Sequence, residues 1–404
     1  MTEVWSLAAL WLGLALLATL LSIWLGVATA LSEIVVGTVA QLLIGAFVGS
    51  SLLGTDEPWI RFLSGTGAII LTFLAGAELD PAVFRAKWKE TTGIGLVAFF
   101  APFLGCAAFA FYGLEWTARA SWLAGVALST TSVAVVYAVM LELGLNSTSF
   151  GKAVLAACFV NDLGTVLALG LIFAPFTLKT VVFAGSSVVV LGVLPWVTPP
   201  FFQRYGGRPS ELEAKFLLLA LFGMGALAAW ADSEAVLPAY LIGMVLAGTV
   251  GKDHALVRRL RTVTFGLLTP FYFIRAGSFV SVPALIAAPA SVLGLLLAKL
   301  ATKSLGVWPA TRFFHYPRQE AAYTTLLMST GLTFGSISAL FGLTHRIIDQ
   351  AQYSYLIAAV IGSAVVPTLI ANAFFLPRYL LPKLVPPVEA APASVAARLE
   401  KEVG

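Results

Sequence analysis

The stretch GKAVLAACFVNDLGTVLALGLIFA, residues 151–174, places Asn161 and Asp162 side by side in the middle of an otherwise largely apolar segment. The segment is long enough to cross the hydrocarbon core of a bilayer, which takes about 20 residues as a helix. A carboxylate at that depth costs several kcal/mol unless it has a partner or a task, so Asp162 is a candidate functional group. Its oxygens can hold a proton or a small cation, and the two ligands compete for the same atoms.

The rest of the chain has the same apolar character. Of its 404 residues, 59% are hydrophobic and only 11% are charged, so most segments cannot be surface helices of a soluble domain. Apolar windows of about 20 residues predict an all-α polytopic membrane protein with thirteen spans. These lie near residues 4–26, 30–50, 62–77, 91–113, 119–142, 150–174, 177–199, 213–231, 235–250, 262–280, 286–308, 319–342 and 351–376.

Basic residues predict the orientation, because Lys and Arg avoid translocated loops. With the N-terminus outside, 17 of the 24 Lys and Arg residues fall in inner loops and the C-terminal tail, and 4 fall in outer loops. We therefore expect an integral protein of a bacterial inner membrane with a cytoplasmic C-terminus. The net charge of +4 reflects this topology rather than nucleic-acid binding.

Several function classes lack support in the sequence. The two cysteines, Cys106 and Cys158, both fall inside predicted spans and imply no disulfide. The three histidines have no ligand spacing, and no protease or hydrolase signature occurs, so neither a metal centre nor an enzyme is expected. No cofactor or nucleotide-binding domain is predicted: residues 1–384 read as one transmembrane domain, followed by a short, disordered cytoplasmic tail over 385–404.

A weak internal repeat occurs at an offset of about 200 residues. Leu74-Ala75-Gly76 pairs with Arg275-Ala276-Gly277, and Ser129-Thr130 pairs with Ser329-Thr330. Since the fifth span runs inward and the twelfth outward, the two halves have opposite topology. Inverted repeats of this kind place a transported ligand near the middle of the membrane.

The fifth and twelfth spans are predicted to be broken helices that cross. Hydroxyl residues interrupt both spans, at residues 129–132 and 329–336, and the second interruption also contains glycine. Freed carbonyls and hydroxyls there can replace part of the hydration shell of an ion. The alternative is that small and hydroxyl residues only permit close helix packing or bond back to their own helix. The candidate crossover residues are Thr130, Thr330, Gly331 and Thr333.

Four motifs in order resemble those of the cation:proton antiporter-2 family. They are LIGAFVGSSLLG at 43–54, FLAGAELD at 73–80, TSV at 131–133 with LELG at 141–144, and NDLG at 161–164. Within that family the chain is most similar to NapA-type sodium/proton antiporters. The resemblance implies the NhaA/NapA-like fold and a homodimer. It also implies a scaffold part at about 4–80 and 213–280, and a moving core at about 91–174 and 286–376.

The resemblance also implies roles for individual residues. Asp162 matches the carboxylate that binds Na⁺ and protons, with Asn161 beside it, and Thr131 and Ser132 match hydroxyls that help to coordinate the ion. Lys303 matches a buried lysine that compensates charge opposite the site. Lys299, one turn earlier, is expected to extend toward the membrane surface or line an inner funnel.

One departure from the family concerns stoichiometry. Electrogenic NapA-type exchangers carry two adjacent aspartates, whereas this chain has Asn161 in the first position. The single carboxylate favours electroneutral exchange, while Lys303 stands where electroneutral relatives tend to carry Arg. The expected function is alternating-access exchange of Na⁺, or of K⁺ or Li⁺, for protons across the lipid bilayer. The alternative is a sodium-coupled organic-anion symporter of the same fold.

Overall fold

A computed structural model describes residues 2–25, 27–47, 53–79, 81–173, 177–231, 233 and 235–381 of the chain. Within these ranges the chain forms helices and connecting turns with no strand, which confirms the predicted all-α class. The predicted tail at 385–404, residues 48–52 of the first motif and Asp80 of the second lie outside the described residues.

The helices are α1 Thr2–Leu25, α2 Thr29–Phe47, α3 Pro58–Ala77, α4 Pro81–Ala86, α5 Trp88–Ala108, α6 Ala118–Ser129, α7 Val133–Glu142, α8 Ser149–Phe173, α9 Leu178–Tyr205, α10 Leu212–Trp230, α11 Val236–Leu246, α12 His254–Val263, α13 Thr269–Ser278, α14 Val282–Ala287, α15 Pro289–Phe313, α16 Arg318–Met328, α17 Thr333–Thr344 and α18 Gln350–Ile370. Single π-helical turns continue three of them, at Phe109–Gly113 after α5, Thr264–Leu268 after α12 and Ala371–Phe375 after α18.

Ten helical stretches in the described part of the chain are long and apolar enough to cross a membrane. They correspond to ten of the thirteen predicted spans. Two of the other three predicted spans are shorter apolar helices, at Thr29–Leu43 and Val236–Leu246, and the third lies in the segmented helix α12–α13. This last segment runs from His254 to Ser278 and is long enough to cross, but three arginines in α12, Arg258, Arg259 and Arg261, make it less apolar.

Buried apolar side chains form one large cluster and two smaller ones. The large cluster draws mainly on α5–α8 and α15–α18, with additions from α2, α3, α11 and α13. The second joins α3 to α9–α12, and the third joins α1, α3 and α13. These clusters support the division into a core and a scaffold, which stays a prediction in its boundaries.

Close glycine contacts join α3 to α11. A Cβ added to Gly76 would collide with the backbone carbonyl oxygen of Tyr240, and one added to Gly243 would collide with that of Phe73. The two helix backbones therefore touch, as small residues allow in membrane proteins.

The same arrangement joins α2 to α13. A Cβ on Gly277 would collide with the carbonyl oxygen of Ile34, and one on Gly37 with that of Ile274. Gly277 corresponds to Gly76, and Ile274 corresponds to Phe73, at the offset of about 200 residues seen in the sequence. These matched contacts support the internal repeat. The opposite orientation of its halves in the membrane stays a prediction.

The α3–α11 contact gives a stability prediction. Replacing Gly76 with Ala should lower the free energy of unfolding by about 1–3 kcal/mol, because the new methyl group overpacks a backbone contact. Gly65→Ala on the same helix is the control, since nothing lies within 4 Å of its added Cβ. That change should be neutral or slightly stabilising. Thermal unfolding in detergent, followed by tryptophan fluorescence, checks both variants; equal melting temperatures would contradict the contact.

Candidate functional site

Two broken helices meet in the interior of the protein. Between α6 and α7, residues 130–132 leave the helix, and the backbone of Thr130 is extended at φ −63° and ψ 150°. Between α16 and α17, residues 330–332 lack helical structure, and Leu332 adopts φ −145° and ψ −69°. The predicted breaks in the fifth and twelfth spans are therefore present, and Thr333 begins α17.

Hydrogen bonds join the two breaks to each other. The Ser132 N–H donates to the Thr330 carbonyl at 3.1 Å. The Thr131 hydroxyl donates to the Met328 carbonyl at 2.7 Å, and Ser363 on α18 donates to the Gly331 carbonyl at 3.3 Å. Helices α6 and α16 thus end, and α7 and α17 begin, at one buried point. Helix C-termini carry partial negative charge and N-termini partial positive charge, so both signs meet there.

Lys303 reaches this crossover from α15. Its side chain is fully buried, and Nζ donates to Thr131 Oγ1 and to Asn161 Oδ1, both at 2.9 Å. The Thr131 hydroxyl accepts this bond while donating to Met328, so Lys303 is linked to the carbonyl end of α16. The structure therefore brings together three residues that the sequence had placed on three separate spans.

Asp162 lies beside this network on α8, with only 1% of its side chain exposed. Among the described residues, its Oδ1 atom has no hydrogen-bond partner, and neither has Asn161 Nδ2. Buried polar groups are normally paired, and an unpaired one in a native structure calls for an explanation such as a missing ligand. A small cation or a proton on Asp162 would supply a partner for its carboxylate.

The remaining predicted crossover hydroxyls are used locally. Thr130 and Thr330 donate to the carbonyls of Ala127 and Leu327 in their own helices, at 3.2 Å and 2.7 Å. For these two side chains the alternative of back-bonding is therefore the observed one. Ser132 Oγ accepts from the Val135 N–H at 3.4 Å, at the first turn of α7.

Lys299 contradicts the sequence-based expectation. It does not extend to the membrane surface or line a funnel: its side chain is fully buried, and Nζ lies against Gly331 at the crossover. The spacing of four residues from Lys303 correctly indicated a shared helix face. What the sequence could not show is that this face turns toward the break in α16–α17 rather than toward water.

An open cavity of about 490 Å³ approaches the crossover from one side of the protein. Val133, the residue after Ser132, and Phe159, one turn before Asp162, form part of its wall. Asp162 itself does not line the cavity. Charged residues and one histidine also line it, and they belong to segments predicted to face the inside: Glu78, Lys152, Lys252, Arg261 and His254.

Two other charged groups have structural partners. Arg275 donates from Nε to the Thr55 carbonyl at 2.8 Å and approaches Asp56 at 3.6 Å, so it ties α13 to the segment before α3. Glu78 pairs with Arg261 at the side of the cavity. Because Asp56 is 67% exposed, its ion pair contributes little stability.

Comparisons with known proteins agree with this architecture. The family model described as "Sodium/hydrogen exchanger, transmembrane" matches residues 12–376. The chain is 24% identical over 374 residues to Cation/H(+) antiporter 18 of Arabidopsis thaliana, covering 84% of this chain and 46% of that protein. It is 26% identical over 392 residues to the glutathione-regulated potassium-efflux system protein KefC of Shigella flexneri serotype 5b, covering 90% and 59%. The chain thus spans about half the length of these relatives.

A solved structure has the same fold. The sodium proton antiporter MjNhaP1 from Methanocaldococcus jannaschii at pH 8 superposes with a TM-score of 0.69 at 15% identity, over 92% of this chain and 96% of that one. The predicted antiporter fold is confirmed by this match, while particular similarity to NapA-type proteins stays a prediction. The family is one of transporters, which confirms that the chain is not an enzyme. On the match over residues 12–376, the chain belongs to the sodium/hydrogen exchanger family of cation:proton antiporters.

Proposed function

We propose that the protein exchanges a monovalent cation for protons, with Asp162 as the group that carries either one. The observation that carries the proposal is the buried carboxylate beside two broken helices, with Oδ1 lacking a partner among the described residues. Thr131 and Ser132 contribute oxygens at the adjacent break, and Asn161 orients its carbonyl toward Lys303. The ion site is thus assembled from α6–α7 and α8.

Because the proton and the cation compete for the Asp162 carboxylate, the proton flux is coupled to the cation flux. An ionised Asp162 without a ligand is costly to move through a dry, low-dielectric interior, whereas a protonated or cation-loaded site carries no unbalanced charge of its own. Only the loaded site therefore crosses readily. The cavity beside Phe159 and Val133 provides an approach from one side, and a shift of the core against the scaffold would open the other.

Lys303 has a compensating role in this mechanism. Through Thr131 it places a positive charge at the carbonyl end of α16, where a cation is favoured. Its second bond is to the neutral Asn161, so it is not paired with a second acid there. One titratable carboxylate per site gives one proton per cation, which is the electroneutral stoichiometry expected from the sequence.

Na⁺ is the cation that we assign first, with K⁺ and Li⁺ as the ions to be tested against it. The relatives include a potassium-efflux system and the fold match is a sodium proton antiporter, so neither decides the ion. A bacterial inner membrane, an outside N-terminus and a homodimer complete the proposal. They rest on the distribution of basic residues and on the family resemblance. The organic-anion symporter gains no support from these comparisons.

Asp162→Asn should abolish exchange while leaving the fold intact. Asn keeps the size of the side chain but cannot carry a negative charge, so cation-driven proton flux in proteoliposomes should fall at least about 100-fold. Adding Na⁺, K⁺ or Li⁺ in turn to the wild type ranks the ions. Glu57→Gln, at an exposed carboxylate, is the control and should keep wild-type flux. Exchange that survives in Asp162→Asn would refute the proposal.

Asn161→Asp should make exchange electrogenic. The new carboxylate would stand 2.9 Å from Lys303 Nζ, where the Asn161 oxygen now accepts a hydrogen bond. A second acid beside the amine adds a group that can exchange protons during the cycle. The rate of exchange in proteoliposomes should then respond to an imposed membrane potential, unlike that of the wild type. Voltage-independent exchange in both proteins would show that position 161 does not determine stoichiometry.

Lys303→Met should destabilise the protein by about 1–3 kcal/mol, because the acceptors Thr131 Oγ1 and Asn161 Oδ1 lose their buried donor. Thermal unfolding in detergent measures this. Leu305→Met is the matched control on the same helix, since Leu305 is 76% exposed and should tolerate the change. Equal melting temperatures for both variants would argue against Lys303 as a partner of the crossover.

A further inference from the structure

Lys299 is a buried amine whose position is not explained by the mechanism above. It lies one turn before Lys303 on α15, its side chain is fully buried, and Nζ has no hydrogen-bond partner among the described residues. Lysine is almost never fully buried without a partner, because desolvation of the amine is uncompensated. A residue that bears this cost at the centre of a transport site is a candidate functional group.

The position of Lys299 depends on a missing side chain at the crossover. A Cβ added to Gly331 would collide with Lys299 Nζ and would also come within 2.7 Å of Thr130 Oγ1. The amine thus takes the space that a side chain at position 331 would fill, between the two breaks. It lies close to Thr130, where α6 ends, and a helix C-terminus favours a positive group.

The charges around Lys299 are unbalanced. Lys303 on the same helix and Cys106 on α5 are the titratable groups that face it, while Asp162 and Cys158 on α8 face Lys303. The site therefore holds two amines and one carboxylate. When both amines are protonated, an added cation meets positive charge that a single Asp162 cannot offset, and repulsion between like charges is far stronger in a dry interior than in water.

We propose that Lys299 is an affinity-determining residue of the cation site: when protonated, it occupies the crossover beside Gly331 and opposes binding of the transported cation at Asp162. The inference rests on the proposed function, since it concerns the affinity of that same site. It assigns to Lys299 a role separate from that of Lys303, whose Nζ donates to Thr131 and Asn161.

Cation-dependent exchange in proteoliposomes at one fixed pH tests the proposal. Lys299→Met keeps an unbranched chain of similar length without the charge, so the apparent KM for the cation should fall at least about fivefold with kcat within about twofold of wild type. Lys299→Arg keeps the charge, and its KM should be no lower than that of wild type. A purely structural role predicts the opposite for Lys299→Met: a higher KM or a lower kcat.

Gly331→Ala tests the same role of Lys299 without removing its amine. The new methyl group would displace the amine from the crossover, and the backbone at 331 is not in the left-handed region, so Ala is permitted. Its KM should also fall. This variant keeps the proposal testable if Lys299→Met does not fold. Leu297→Met, 63% exposed on the same helix, is the control and should leave KM unchanged.

The outcomes separate the two proposals. A lower KM in Lys299→Met or, if that protein does not fold, in Gly331→Ala supports the inference. A KM that is unchanged or higher, with wild-type exchange intact, overturns it and leaves the proposed function standing. Absence of cation-driven proton flux in the wild type would overturn the proposed function itself.

Discussion

The structure depends on how it satisfies four helix ends that are buried far from water. In a membrane interior each unpaired backbone group costs several kcal/mol, so a broken helix persists only where other groups complete it. Here the two breaks complete each other, through Ser132 and Thr330 on one side and Thr131 and Met328 on the other. The remaining partial charges attract ionisable side chains. The crossing therefore creates the electrostatic environment that makes a carboxylate useful at Asp162.

Asn161 stands where the family resemblance implies an acid, and it keeps a hydrogen bond to Lys303 without carrying a negative charge. Its Oδ1 atom still accepts a bond from Lys303 at 2.9 Å, as a carboxylate oxygen in that place would. Its Nδ2 atom lacks a partner among the described residues. An amide thus supports the position of the lysine without neutralising it. Among the described residues, the ionisable lysines and carboxylate of the site are Lys299, Lys303 and Asp162, and this set differs from the two-acid arrangement that the family resemblance implies.

Much of this architecture was predictable because it follows from local sequence. Apolar runs gave the helical segments, and hydroxyl and glycine residues inside two of them gave the breaks, since both signals are contained within one helix. Lys299 shows where such reasoning stops. Its spacing from Lys303 identifies a face of α15, but the neighbour of that face is Gly331, which is more than 30 residues away and lacks a side chain. Similarly, hydropathy placed the start of the tenth span near residue 262, whereas helix α12 already begins at His254.

One buried hydrogen bond joins α11 to α8. Tyr240 on α11 donates from its hydroxyl to the Phe159 carbonyl of α8, at 2.9 Å. That carbonyl belongs to the regular ladder of α8, so the tyrosine shares an acceptor rather than completing one. Equivalent carbonyls recur along the same helix face about every 5.4 Å, one turn apart. A shift of α8 along its axis would break this buried hydrogen bond before the hydroxyl reached the next carbonyl, at a cost of about 1–3 kcal/mol, so the bond favours discrete positions of α8 against α11.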